Sequence, residues 1–116
     1  MSEDTAFDAS RLPVDTSPIR ALVSLIVERC RPVSVWLFGS RARGEARDDS
    51  DWDLLVVLPD NVAEEDVYSS LSPWRLRKLT RVNADVVYCN DSEFAEATSV
   101  PNTLAYEVAK HGLVIA

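Results

Sequence analysis

Five residues carry chemistry by their type and spacing. Gly39 and Ser40 follow a β-rich run, VSVWLF, and open a short polar stretch. A glycine there lets the backbone approach an anion, and the free N–H groups of a following helical turn point at it. The serine hydroxyl adds a donor. A Gly-Ser pair after a strand is also a common plain turn. Asp51 and Asp53 stand at i and i+2 at the head of a second apolar run, WDLLVVL. On a strand that spacing sets both carboxylates on one face and Trp52 on the other. Two carboxylates beside an apolar sheet repel each other unless a cation lies between them. Such oxygen ligands suit Mg²⁺, which also takes phosphate oxygens and water. Taken alone, Asp-x-Asp is frequent in surface loops. Asp85 heads a third apolar run, ADVVYC. If that strand pairs beside the second, about 4.8 Å away, Asp85 comes within reach of the same cluster. Three carboxylates can hold two metal ions roughly 3.5–4 Å apart, the clamp used for in-line displacement at phosphorus. Alone, Asp85 reads as well as a strand-edge carboxylate.

The elements that must position these residues follow from periodicity and punctuation. Ile19, Leu22, Val23, Ile26 and Cys30 recur at helical spacing, with Ser17 as expected N-cap, Pro18 at the first helical position and Pro32 as the stop. Val33 to Phe38 reads as a short buried strand, and Ser40 to Gly44 as a helical turn after it. Trp52 to Leu58 is a second strand whose continuous apolar run predicts burial on both faces. Ala63 to Leu71 and Pro73 to Thr80 read as two helical pieces or one helix kinked at Pro73. Ala84 to Cys89 is a third strand. Asn102 to His111 is a C-terminal helix with Gly112 as C-cap, and LVIA is a short closing strand. The expected fold class is α/β, a small mixed sheet packed with helices. Residues 1–16 are expected to form a flexible acidic tail and residues 17–116 one domain.

The totals exclude several classes. The formal net charge of -7 opposes a sequence-independent nucleic-acid binder, which needs a basic face. The hydrophobic fraction of 47% is that of a globular chain, and no apolar run approaches the roughly 20 residues needed to span a bilayer. The acidic N-terminus lacks the basic and apolar regions of a signal peptide, so a cytoplasmic protein is expected. Three glycines permit neither a P-loop nor a dinucleotide fingerprint. Cys30 and Cys89 lie far apart in apolar segments and read as buried reduced thiols. The single histidine, His111, excludes histidine metal cages and is explained by its place at a helix C-terminus. Among the arginines, Arg43 is the first expectation for phosphate contact and Arg41 the next, since a guanidinium can chelate phosphate oxygens. Arg47 reads equally as a partner of Asp48 or Asp49. The basic string WRLRKLTR, Trp74 to Arg81, reads as a solvated helix face or, more sharply, a docking face.

Taken together, Gly39-Ser40, ten intervening residues, Asp51-x-Asp53 and a strand-borne Asp85 some thirty residues on resemble the DNA polymerase β-like nucleotidyltransferase superfamily. The string GSRARGEARDDSDWDLLVV looks like its minimal nucleotidyltransferase (MNT) branch. The resemblance runs from about Ile19 to Ala116 and implies roles. Gly39 and Ser40, with Arg43, would bind the triphosphate; Asp51 and Asp53 would hold two Mg²⁺; Asp85 would complete the metal site and accept the proton of an acceptor hydroxyl. The hydroxyl would attack the α-phosphate of ATP and expel pyrophosphate.

Relatives in this superfamily usually hold the acceptor with a second domain, for which 116 residues leave no room, so the acceptor is expected on another subunit. The MNT resemblance implies pairing with a helical HEPN toxin, transfer of AMP to a tyrosine of that toxin, and an antitoxin role. The acidic balance suits a partner with a basic face. The alternatives are a small-molecule acceptor such as an aminoglycoside, or a non-catalytic antitoxin that blocks its partner by binding.

Overall fold

The structure is a computed structural model and describes residues 12–116. A 3₁₀ turn, Ser17–Ile19, leads into α1 (Arg20–Cys30). The chain continues through β1 (Ser34–Phe38), α2 (Ser40–Arg43) and β2 (Trp52–Leu58). Then follow α3 (Glu64–Ser70), α4 (Pro73–Thr80), β3 (Ala84–Asn90), α5 (Asp91–Ala97), α6 (Leu104–His111) and β4 (Leu113–Val114). The α/β class is as expected: one four-stranded mixed sheet in the order β3-β2-β1-β4. β1 runs antiparallel to β2 and β4, and β2 runs parallel to β3.

β2 is central because its sequence allows nothing else. Leu54 to Leu58 are all buried, on both faces of the strand. Burying such side chains contributes about 1.5–3 kcal/mol each, which an edge strand would forfeit. Leu54, Val56 and Leu58 join Val35, Leu37, Val86 and Tyr88 in the main core, against Leu22 and Ile26 of α1, Val67 of α3 and Leu76 of α4. Strand alternation turns Leu55 and Val57 to the other face. There α6 lies on β1 and α5 on β2 and β3, with Ala105 and Val108 buried and the Trp36 and Phe94 rings 5.7 Å apart.

Several local expectations change. Ser17 does not cap α1: it opens the 3₁₀ turn, and its own N–H donates to the Asp15 carboxylate at 3.0 Å, which holds that carboxyl below its ordinary range. The helix continues to Cys30 and ends on Arg31 in the left-handed region, one residue before Pro32. The Pro73 region is two helices. Ser72 caps the second by accepting the Arg75 N–H, and Pro73 takes the first turn where its missing N–H costs nothing. Gly112 is not a left-handed cap, with φ -81°. A Cβ there would meet the Val108 carbonyl oxygen at 2.6 Å and that of Leu37 at 3.0 Å, so glycine serves the close passage of α6 into β4. The C-terminal helix begins at Leu104, capped by the Thr103 hydroxyl, rather than at Asn102.

Leu12 and Val14, placed in the tail by composition, pack against the core; residues 1–11 of the expected tail lie outside the described residues. Cys30 and Cys89 are free, half-buried thiols; burial pushes both up, Cys89 to about 11. Among the described residues no helix is long and apolar enough to cross a membrane.

Candidate active site

The sheet register brings the chemical residues to one end. Phe38, the last residue of β1, pairs with Asp53, and Asp53 pairs in turn with Asp85 on β3. The adjacency expected of Asp53 and Asp85 is therefore direct, across one strand spacing. Gly39 turns the chain off β1 with φ 77° and ψ -158°, in the region that disfavours any side chain. A Cβ at Gly39 would collide with the Asp53 carboxylate. The glycine thus serves a second end besides the turn: it lets the aspartate lie against the backbone that opens α2.

Ser40 is the first residue of α2, where the leading N–H groups lack intrahelical partners. The Gly39 carbonyl accepts from Ala42 and Arg43 at 3.1 and 3.2 Å and fixes the turn. Beyond it the chain loops from Gly44 to Asp51. Arg41 holds that loop. Its guanidinium stacks over Trp52, 4.4 Å from the ring centroid, and donates to the Ser50 carbonyl at 2.7 Å and more weakly to that of Asp48 at 3.4 Å. Arg41, expected at phosphate, is thereby committed to the loop. Arg47 contributes its backbone N–H to the Ser50 hydroxyl at 2.8 Å. Arg43 is exposed and paired with Glu45 at 2.8 Å.

Charge at this end is unbalanced in a way that favours a cation. Burial pushes the Asp53 carboxyl above its ordinary range, the Asp85 and Asp51 charges push it the same way, and Arg43 opposes them. The donor set is all carboxylate oxygen, the chemistry of a hard ion such as Mg²⁺. The side chains do not form a closed cage: among the described residues no three His, Cys, Asp or Glu side chains converge on a point. Mg²⁺ usually takes one or two carboxylates and fills its octahedron with water and substrate phosphate. Asp51, Asp53 and Asp85 fit such an open site, one completed by phosphate.

Two clefts open beside these carboxylates. One, of about 400 Å³, is lined by Gly39, Arg43, Glu107 and His111, with Phe38 and Val108 at its apolar wall. The other, of about 380 Å³, is lined by Asp51, Asp85, Asn83, Trp74 and Arg77 at the start of α4 and the head of β3. The first therefore adjoins the glycine turn, and the second adjoins Asp85. Sequence reading missed two of these linings. His111 had a sufficient explanation in its helix terminus. Trp74 was read with its string as a solvated or docking face, not as a neighbour of Asp85, because no spacing links α4 to the head of β3.

Residues 19–111 match the model of the nucleotidyltransferase domain family. No curated protein matches the chain. Among solved structures, a protein of Sulfolobus solfataricus assigned as a nucleotidyltransferase aligns with a TM-score of 0.54 and 23% identity, over 84% of this chain and 75% of that one. That likeness establishes the fold, a mixed sheet packed with helices. The family match spans every element from the end of the 3₁₀ turn to the end of α6, including the glycine turn and all three carboxylates. The chain belongs to the nucleotidyltransferase domain family.

Proposed function

We propose that this nucleotidyltransferase moves AMP from ATP to a hydroxyl of a partner protein, a tyrosine of a HEPN toxin, and acts as the antitoxin of that pair. The observation that carries the reading is the contiguity of Gly39, Asp53 and Asp85: the turn suited to phosphate touches the carboxylate that stands in register with the third. Gly39, Ser40 and Arg43 would hold the triphosphate from the α2 side. Asp51, Asp53 and Asp85 would hold Mg²⁺, which when bound neutralises phosphate charge. Asp85, at the exposed edge of the cluster, would take the proton of the acceptor hydroxyl as its oxygen bonds to the α-phosphorus. The bond from the α-phosphorus to the bridging oxygen breaks, and pyrophosphate leaves with those electrons. The chain's contribution is positioning and preorganised charge.

A protein acceptor is supported by the surface around Asp85. On α4, Trp74 is 69% exposed and lines a cleft that Asp85 and Asp51 share, and Leu79 is 60% exposed on the same helix. Exposed aromatic and aliphatic side chains set among charges are the composition of a contact surface rather than of a small polar pocket. The test is transfer from α-labelled ATP, with Mg²⁺ and the co-expressed partner, followed by mass spectrometry of the partner. AMP on a partner tyrosine is expected, and its loss in the Asp51→Asn, Asp53→Asn double variant. Label found only on small molecules would move the acceptor to that class. Undiminished silencing by the double variant would replace catalysis with blocking by binding.

A further inference from the structure

We propose that His111 binds the terminal phosphates of the nucleoside triphosphate, so that the pyrophosphate to be expelled lies between α2 and the end of α6. The inference rests on reading this site as one for a nucleoside triphosphate.

The position of His111 is dictated by the sheet. β4 pairs antiparallel with β1, Leu113 opposite Leu37. α6 ends at His111, two residues before that pair, and His111 lines the same cleft as Gly39. Gly112 passes so close to β1 that a Cβ would meet the Leu37 carbonyl oxygen at 3.0 Å, so the backbone at His111 cannot swing clear of the glycine turn. The result is one cleft, of about 400 Å³, with Gly39 and Arg43 on one side and His111 on the other.

The charge inventory of that cleft calls for a second donor. Arg43 is its one arginine, and Glu45 already engages it at 2.8 Å. α6 ends here, and a helix C-terminus presents carbonyl oxygens that repel phosphate. An imidazole at that terminus reverses the local preference, because it offers an N–H donor in either protonation state. Glu107, one turn back on α6, is the cleft's carboxylate and works against an anion. Its place gives the inference a second variant of opposite sign. His111 is exposed on the last turn, so its replacement leaves the core intact.

Calorimetric titration of the full chain with ATP and with AMP, each with Mg²⁺, tests this without any acceptor. His111→Leu should weaken ATP about tenfold, the scale of one hydrogen bond to a charged group, and leave AMP unchanged. His111→Gln, which keeps a donor, should recover most of that loss. Glu107→Gln should tighten ATP severalfold. Thermal midpoints of the three variants should stay near that of the parent. Unchanged ATP affinity in His111→Leu, or an equal loss for AMP, overturns the role of His111 alone. Failure of the parent chain to bind ATP overturns the triphosphate reading and this inference together.

Discussion

Along β2, Leu54, Val56 and Leu58 face the core shared with α1, α3 and α4, while Leu55 and Val57 point to the face that α5 covers and Asp53, of the same parity, lies against Gly39. The first parity is apolar to its end at Trp52, which is 7% exposed and roofed by the Arg41 guanidinium. The second is apolar for two residues and then turns acidic, where β3 contributes Asp85 and β1 gives way to Gly39. One strand thus anchors the domain with one set of side chains and equips it with the other. The proposed chemistry lies where the covering helices stop, since a carboxylate fully covered there would face a still larger desolvation cost.

Replacing one residue of each parity separates the two roles most sharply. Asp53→Asn should lower nucleotidyl transfer by about a thousandfold or more, as expected for loss of a group that holds charge at the transferring phosphate. The same change should raise the metal-free thermal midpoint by about 2–5 °C, because it removes a carboxylate whose proton the fold favours. The sign follows from linkage: Asp53 holds its proton to higher pH folded than unfolded, so its contribution to stability falls as pH rises through the carboxylate range. In Asp53→Asn that part of the decline should vanish from unfolding curves taken in a chelator. An unchanged slope would break the comparison.

Leu54→Ala, one residue away, should cost about 2–5 kcal/mol and lower the midpoint by about 10 °C or more, seen in urea or heat unfolding. At low temperature, where the variant remains folded, its affinity for ATP should be retained. Tyr88→Phe tests the same core at a smaller scale. The buried Tyr88 hydroxyl donates to the Leu71 carbonyl at 2.7 Å and ties β3 to the junction of α3 and α4. Its loss should cost about 1–2 kcal/mol, read from denaturant midpoints. Smallest is the effect at Cys89 on the second parity of β3. With its thiol pushed up to about 11 by burial and by Glu93, Glu64 and Asp91, alkylation at pH 8 should be far slower than for an exposed thiol. The rate should climb only as the pH approaches that value.

The readable parts of this molecule were those written in local pattern. The unbroken run from Trp52 to Leu58 announced a central strand, and the i, i+2 aspartates fixed which parity would carry them. α5 was not readable: Asn90 ends β3 and stands at the N-cap position of the helix at once, its side chain donating to the Pro59 and Val62 carbonyls instead of capping, and DSEFAEA offers Phe94 as its one large apolar residue, too little for a periodic stripe. The place of His111 at the end of a helix was legible, whereas the setting of Arg41 and the cleft beside His111 were not, for a different reason. Each owes its setting to residues distant in sequence, Trp52 for the first and Gly39 and Arg43 across the cleft for the second, and no spacing rule names such partners. The adjacency of Asp85 to Asp53 was legible only as a condition, that the third strand pair beside the second, and the parallel register meets it.

The collision that excludes a Cβ at Gly39 ties two positions fourteen residues apart into one mutational unit. Gly39→Ala alone meets the Asp53 side chain, whereas with Asp53→Gly that obstacle is gone and only the backbone penalty of φ 77° remains. A double-mutant cycle on the pair is therefore strongly non-additive in stability. A library screened for folding alone will favour shedding the carboxylate before enlarging the glycine, and on the role proposed for Asp53 will drift toward inert, better-folded domains. Only selection for the transfer reaction holds the two together.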